Sequence, residues 1–153
     1  MKNDIQLKSE LYQQCLEYLN SRQEVIEKTI EDLQESLFSE TKSSAGDKHE
    51  TNRAMIQLER EKAGNQLLEI QKTNQLLSKI DINKSNKMVS LGSLVYTSSS
   101  NYFIAISAGE LRIDHEIFYA ISPSTPIGKL LIGKNEGDKI TFREESFVIT
   151  KTL

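Results

Sequence analysis

From Ile5 to Glu40 the chain contains no proline and no glycine. Along that stretch Tyr12, Leu16, Leu19, Gln23, Ile26, Ile30, Leu33 and Leu37 recur at intervals alternating between four and three. This is the heptad rule, which keeps one stripe of a helix facing a partner helix. The stretch therefore demands a long helix with something to pack against. Polar Gln23 interrupts the stripe once. Leu11, Cys15, Tyr18, Val25 and Phe38 widen it, so parts of the helix are expected to touch more than one neighbour.

The partner is expected next in the chain. Ser39 to Gly46 is mostly small and polar and ends in glycine, which suits a turn. From about Asp47 to Lys79, Ile56, Arg60, Ala63, Leu67, Ile70, Asn74 and Leu77 again alternate four and three. Met55 and Leu58 add apolar surface near the turn. The first arm is acidic, with Glu24, Glu27, Glu31, Asp32 and Glu35 among its charges. The second carries Lys48, Arg53, Arg60, Lys62, Lys72 and Lys79. Two arms of similar length and opposite charge bias favour an antiparallel hairpin over a dimerising coiled coil. An arm of about 30 residues is roughly 45 Å long, so the turn is a far-reaching tip. Gly64, inside the second arm, costs about 0.5–1 kcal/mol relative to alanine and is expected to permit close helix packing.

The pattern changes after residue 80. Asp81 to Lys87 reads as a polar linker. Met88–Tyr96, Tyr102–Ile106, Ile117–Ile121, Ile140–Phe142 and Phe147–Thr150 have strand composition, with a further short strand expected at Leu111 and Ile113. Arg143 to Ser146 separates the last two strands as a hairpin turn would. Pro126 is placed to open a short helix, Thr125 to cap it and Gly133 to end it. The expected fold class is α+β. Its parts are an antiparallel helical coiled-coil hairpin over residues 1–80, a linker over 81–87, and an antiparallel-sheet domain with a short helix over 88–153.

The charge balance excludes some functions. The formal net charge of -3 gives no basic field for binding nucleic acid by bulk electrostatics. The single cysteine, Cys15, forms no intrachain disulfide, and its place in the heptad stretch marks it as buried. No apolar run approaches a membrane span and Met1–Asp4 lacks a signal-peptide core, so a cytoplasmic, membrane-free protein is expected. No Ser-His-Asp or Cys-His arrangement stands out. His115, between Asp114 and Glu116, reads as part of a solvated turn.

The best candidate for chemistry is the pair Asp47 and Glu50 at the tip. Residues three apart on a helix share a face, so both carboxylates can reach one ion. The same Asp47-Lys48-His49-Glu50 also fits a capping box, with Asp47 as the N-cap and Glu50 reaching back to its amide. The residues alone leave both readings open.

Three stretches carry a resemblance. Thr125-Pro126-Ile127-Gly128-Lys129-Leu130-Leu131-Ile132-Gly133-Lys134-Asn135-Glu136-Gly137-Asp138-Lys139-Ile140 is similar to the C-terminal signature of the GreA/GreB family of bacterial transcript-cleavage and elongation factors. Thr125 stands where that pattern has serine and Leu130 where it has alanine. Leu91-Gly92-Ser93-Leu94-Val95 resembles the family's V-G-S-x-V, and Gly46-Asp47-Lys48-His49-Glu50 its G-D-x-x-E, all in family order. The resemblance implies a coiled-coil hairpin joined to an FKBP-like domain that docks on RNA polymerase. It implies that the hairpin tip enters the secondary channel and stimulates the polymerase's own cleavage of backtracked RNA at its 3′ end. Carried over, Asp47 and Glu50 would assist catalysis by transiently holding Mg2+ shared with the polymerase. The free protein, expected as a monomer, would hold no cofactor and be no enzyme itself. Lys48, Arg53, Ile127, Lys129 and Lys134 are the expected partner-contact residues. The tip departs from the family pattern, since Arg53 replaces an acidic residue and the usual aromatic is absent. A channel regulator that does not stimulate cleavage is therefore the alternative. A coiled-coil adaptor and a peptidyl-prolyl isomerase are more distant ones.

Overall fold

The computed structural model describes residues 2–42 and 46–153, with the backbone alone at Thr41, Lys42 and Asp47. Of the turn expected from Ser39 to Gly46, residues 39–42 are helical instead, and Ser43, Ser44 and Ala45 lie outside the described residues. The elements in order are helices α1 (Asp4–Lys42) and α2 (Asp47–Ser78), strands β1 (Leu94–Thr97), β2 (Asn101–Ile104), β3 (Gly109–Ile113) and β4 (Glu116–Ile121), helix α3 (Pro126–Leu131), and strands β5 (Lys139–Phe142) and β6 (Glu145–Thr152). This is the expected α+β class: a long helical hairpin, then a six-stranded sheet with one short helix. The chain forms two compact units, residues 19–74 and residues 1–18 with 75–153.

In the unit 19–74, the distal halves of the two helices bury a narrow seam. Leu19, Ala63 and Ile70 are buried, while Gln23, Ile26, Ile30, Leu33, Leu37, Ile56 and Leu67 are half-buried. A strict heptad stripe of this width is what a two-helix contact needs. Val25, Phe38, Met55, Leu58 and Leu68 are exposed instead. Arg60 and Asn74, expected on the seam, are exposed as well, because a charged or amide side chain has little to gain there. An added Cβ at Gly64 would meet nothing within 4 Å, so close helix packing does not explain that glycine.

The other unit joins the first turns of α1 and the last turn of α2 to the sheet. Leu11, Cys15, Leu77, Leu94, Phe103 and Phe118 are all fully buried. The Gln14 side chain donates to the Arg112 carbonyl at 3.0 Å, tying α1 to β3. The sheet order is β3-β4-β2-β1-β6-β5. Its neighbours run antiparallel except for β2 and β4, which pair in parallel with Phe103 opposite Ala120. A second core, of Val89, Val95, Ile104, Leu131, Ile140, Phe147 and Ile149, has Ile121, Ile127 and Phe142 packed against it.

Two features of this unit differ from the sequence expectation. Met88 to Ser93 is not strand. Ser93 N donates to the Ser90 carbonyl at 3.0 Å, and Gly92 adopts φ +90°, a turn conformation that ends any extended run. The β5–β6 turn is also tighter than Arg143 to Ser146. Arg143 and Glu144 alone form it, with φ of 50° and 69°, and Glu145 already pairs with Phe142. Asp114 and His115 make the matching turn between β3 and β4, which places His115 in an exposed turn. Such paired left-handed conformations match the twist of a two-residue hairpin.

Candidate functional site at the hairpin tip

The start of α2 is fixed by backbone bonds. His49 N and Glu50 N both donate to the Gly46 carbonyl, at 3.0 and 3.2 Å. The residue whose carbonyl accepts the first helical bond is the N-cap, so Gly46 holds that position and Asp47 is the first helical residue. This corrects the capping-box reading of Asp47 and Glu50. A capping box joins the N-cap to the third helical residue, and that residue is His49. Glu50 is fourth, exposed, and has no side-chain bond to a described residue. The side chain of Asp47 lies outside the described residues, but its backbone puts position 47 on the same helix face as position 50.

Lys48 and Arg53 are also exposed in the first two turns of α2. The helix N-terminus itself carries a partial positive charge, which favours carboxylates at positions 47 and 50. Sequence reasoning missed Glu40. Its Oε2 lies 2.8 Å from His49 Nδ1, so a bond joins the last turns of α1 to the first turn of α2. Nothing in residue spacing marks a pair nine apart across a turn. The signal was only an acid at the end of one arm and a histidine at the start of the next.

Two carboxylates suit a hard divalent cation as part of a donor set, since Mg2+ keeps waters and takes only one or two carboxylates alongside phosphate oxygens. Among the described residues, no group of three or more His, Cys, Asp or Glu is placed to hold a metal ion.

The remaining expected contact residues lie in the sheet-containing unit. Thr125 caps α3, its hydroxyl oxygen accepting from Gly128 N at 3.1 Å. Ile127 is half-buried against the second core. Lys129 and Lys134 are exposed, and Leu130 and Ile132 are exposed between them. The stretch after Pro126 thus presents two apolar side chains flanked by two basic ones.

No family model matches the chain, and no curated protein matches it. Among solved structures, GreA factor homolog 1 (Gfh1) of Thermus thermophilus is similar at 18% identity and a TM-score of 0.34, over 93% of this chain and 94% of that one. A second structure, of the transcription factor Gfh1, is similar at 18% identity and a TM-score of 0.34, over 92% of each chain. No described helix is long and apolar enough to cross a membrane.

Proposed function

We propose that this chain binds bacterial RNA polymerase, places its hairpin tip in the secondary channel, and stimulates cleavage of backtracked RNA. The observation that carries this reading is at the tip. Gly46 takes the capping position, and Glu50 is exposed in the first turn of α2 with no side-chain bond to a described residue. The helix N-terminus favours its charge, but no hydrogen bond to a described residue engages its oxygens, which leaves them available to a partner. The resemblance of the tip and of the Thr125–Ile140 stretch to the GreA/GreB family supplies the partner.

In this reading Lys129, Leu130, Ile132 and Lys134 contact polymerase. The helical hairpin carries Asp47 and Glu50 to the RNA 3′ end. Their oxygens help hold an ion that the polymerase and RNA phosphates otherwise ligate. Mg2+, when bound there, stabilises the charge that develops on the attacking and leaving oxygens. The chain itself breaks no bond.

A second reading has its own observation. Lys48 and Arg53 are exposed within the same two turns as Asp47 and Glu50, so the formal charges of the four cancel. A tip neutral overall recruits a cation less strongly and suits a factor that occupies the channel without stimulating cleavage. Binding of the labelled chain to core polymerase tests what both readings share. Binding that weakens about tenfold or more in Lys129→Glu/Lys134→Glu supports them. Absence of binding at micromolar polymerase overturns both.

A further inference from the structure

The seam between the two arms ends on a polar pair. With the arms folded together, the four-three count runs on from Leu37 to Glu40 in α1. Run back from Ile56, it passes exposed Arg53 and reaches His49 in α2. Both end positions are half-buried, as seam residues are, although neither is apolar. The side chains keep 24% and 41% of their surface exposed and meet at 2.8 Å, Glu40 Oε2 to His49 Nδ1. Carboxylate oxygens only accept, so the imidazole N–H donates.

A contact this open adds little to stability. Its consequence is geometric. A polar pair on a coiled-coil seam is satisfied in one alignment of the helices, and so specifies register. The apolar seam beside it is thin: Leu33, Leu37 and Ile56 are half-buried and Met55 is exposed. His49 also belongs to the first turn of α2, where its N–H and that of Glu50 share the Gly46 carbonyl. Holding His49 against α1 therefore fixes the direction of its neighbours. Position 50 lies about 100° and position 47 about 160° round the helix axis from His49, on the same side. Both are thereby turned away from α1.

We propose that Glu40 and His49 are positioning residues. Their bond sets the rotation and register of the first turn of α2, and so aims the face that carries positions 47 and 50 outward, toward a bound partner. Its use in RNA cleavage rests on the function proposed above; the aim itself is a property of the free chain.

Two measurements on the full chain test this. Nitroxides attached at Glu35→Cys and Glu50→Cys report the direction of position 50 through their distance distribution, since both sites are exposed and Cys15 is buried. The distribution is expected to be narrow with Glu40 and His49 in place and broader in Glu40→Ala and in His49→Ala. Alanine favours helix, so these variants keep both arms. His49→Asn, whose amide nitrogen takes the place of Nδ1, and Glu40→Gln, which keeps an acceptor but loses the charge, are expected to restore it. In an arrested complex, with Glu50 intact, each alanine variant is expected to lose about fivefold or more of the maximal acceleration, while its half-saturating concentration moves less than about twofold. The asparagine and glutamine variants are expected to match the parent. Distributions as narrow in both alanine variants as in the parent overturn the proposal. So does full acceleration by both alanine variants where the parent accelerates cleavage. Equal loss in Glu40→Gln and Glu40→Ala assigns the effect to charge and overturns it too. A parent that accelerates nothing, with distributions broadened by both alanine variants, contradicts the cleavage reading and supports the aim.

Discussion

The two long helices are held in different ways at their two ends. Near the sheet, Leu11, Cys15 and Leu77 are fully buried and Gln14 bonds to β3. In the distal unit, Val25 is 66% exposed and Phe38 62% exposed, although both are as apolar as their proximal counterparts. Apolar character alone does not bury a helical residue. A second helix covers only a narrow stripe, and a third surface is needed to cover residues that flank it. The widened stripe of α1 is used where the sheet supplies that surface and left open where only α2 is present.

The difference is sharpest in chemical reactivity. Burial pushes the Cys15 thiol up to about 12 from an ordinary value of 9.0. At pH 8 the native thiolate fraction is therefore about a thousandfold below that of the unfolded chain. Labelling by a disulfide reagent should be very slow until denaturant is added. The linkage has a definite sign: the raised value favours the folded state fully below pH 9, and this contribution is lost as pH rises from 9 toward 12. Burial also raises the Tyr96 hydroxyl, to about 12, so it adds to alkaline destabilisation from about pH 10. Rapid native labelling at pH 8 would place Cys15 outside a sealed core.

Packing should separate the regions next. Phe118→Ala removes a fully buried ring and should cost about 3–5 kcal/mol in urea unfolding. Val25→Ala should cost less than about 0.5 kcal/mol, because its side chain is already largely in water. Equal costs would mean that the distal helices bury more than this geometry shows.

Two glycines sharpen the comparison with smaller effects. At Gly128 a Cβ would collide with the Ser122 carbonyl oxygen and crowd the Thr125 hydroxyl, so Gly128→Ala should cost about 1–3 kcal/mol. Gly64→Ala has open space inside a helix and should stabilise the distal unit by about 0.5–1 kcal/mol. Opposite shifts in thermal midpoint are the expected result. Shifts of the same sign would break the distinction between the two backbones.

Much of this was legible in residue spacing. The four-three alternation in both arms, the Thr125-Pro126 cap and the short strands all correspond to elements of the structure. What was not legible depended on single backbone torsions or on contacts distant in sequence. Met88 to Tyr96 has strand composition throughout, but the left-handed Gly92 and the Ser90–Ser93 turn take its first half out of the sheet. The capping box fits the letters at Asp47 and Glu50, yet the helix begins one residue earlier than that box requires. Arg60 and Asn74 follow the heptad count, but spacing does not bury a side chain that water holds better. Glu40 was missed because its partner, His49, meets it only when the chain folds.

The central claim concerns the carboxylates at the start of α2. It is tested most directly by cleavage of RNA in an arrested, backtracked elongation complex, with the parent chain, Asp47→Asn and Glu50→Gln compared at saturating concentration. The account predicts that the parent accelerates cleavage and that each variant loses at least about tenfold of that acceleration, equivalent to about 1.4 kcal/mol, while binding polymerase as tightly as the parent. Full acceleration by both variants, or a parent that binds and accelerates nothing, would contradict it.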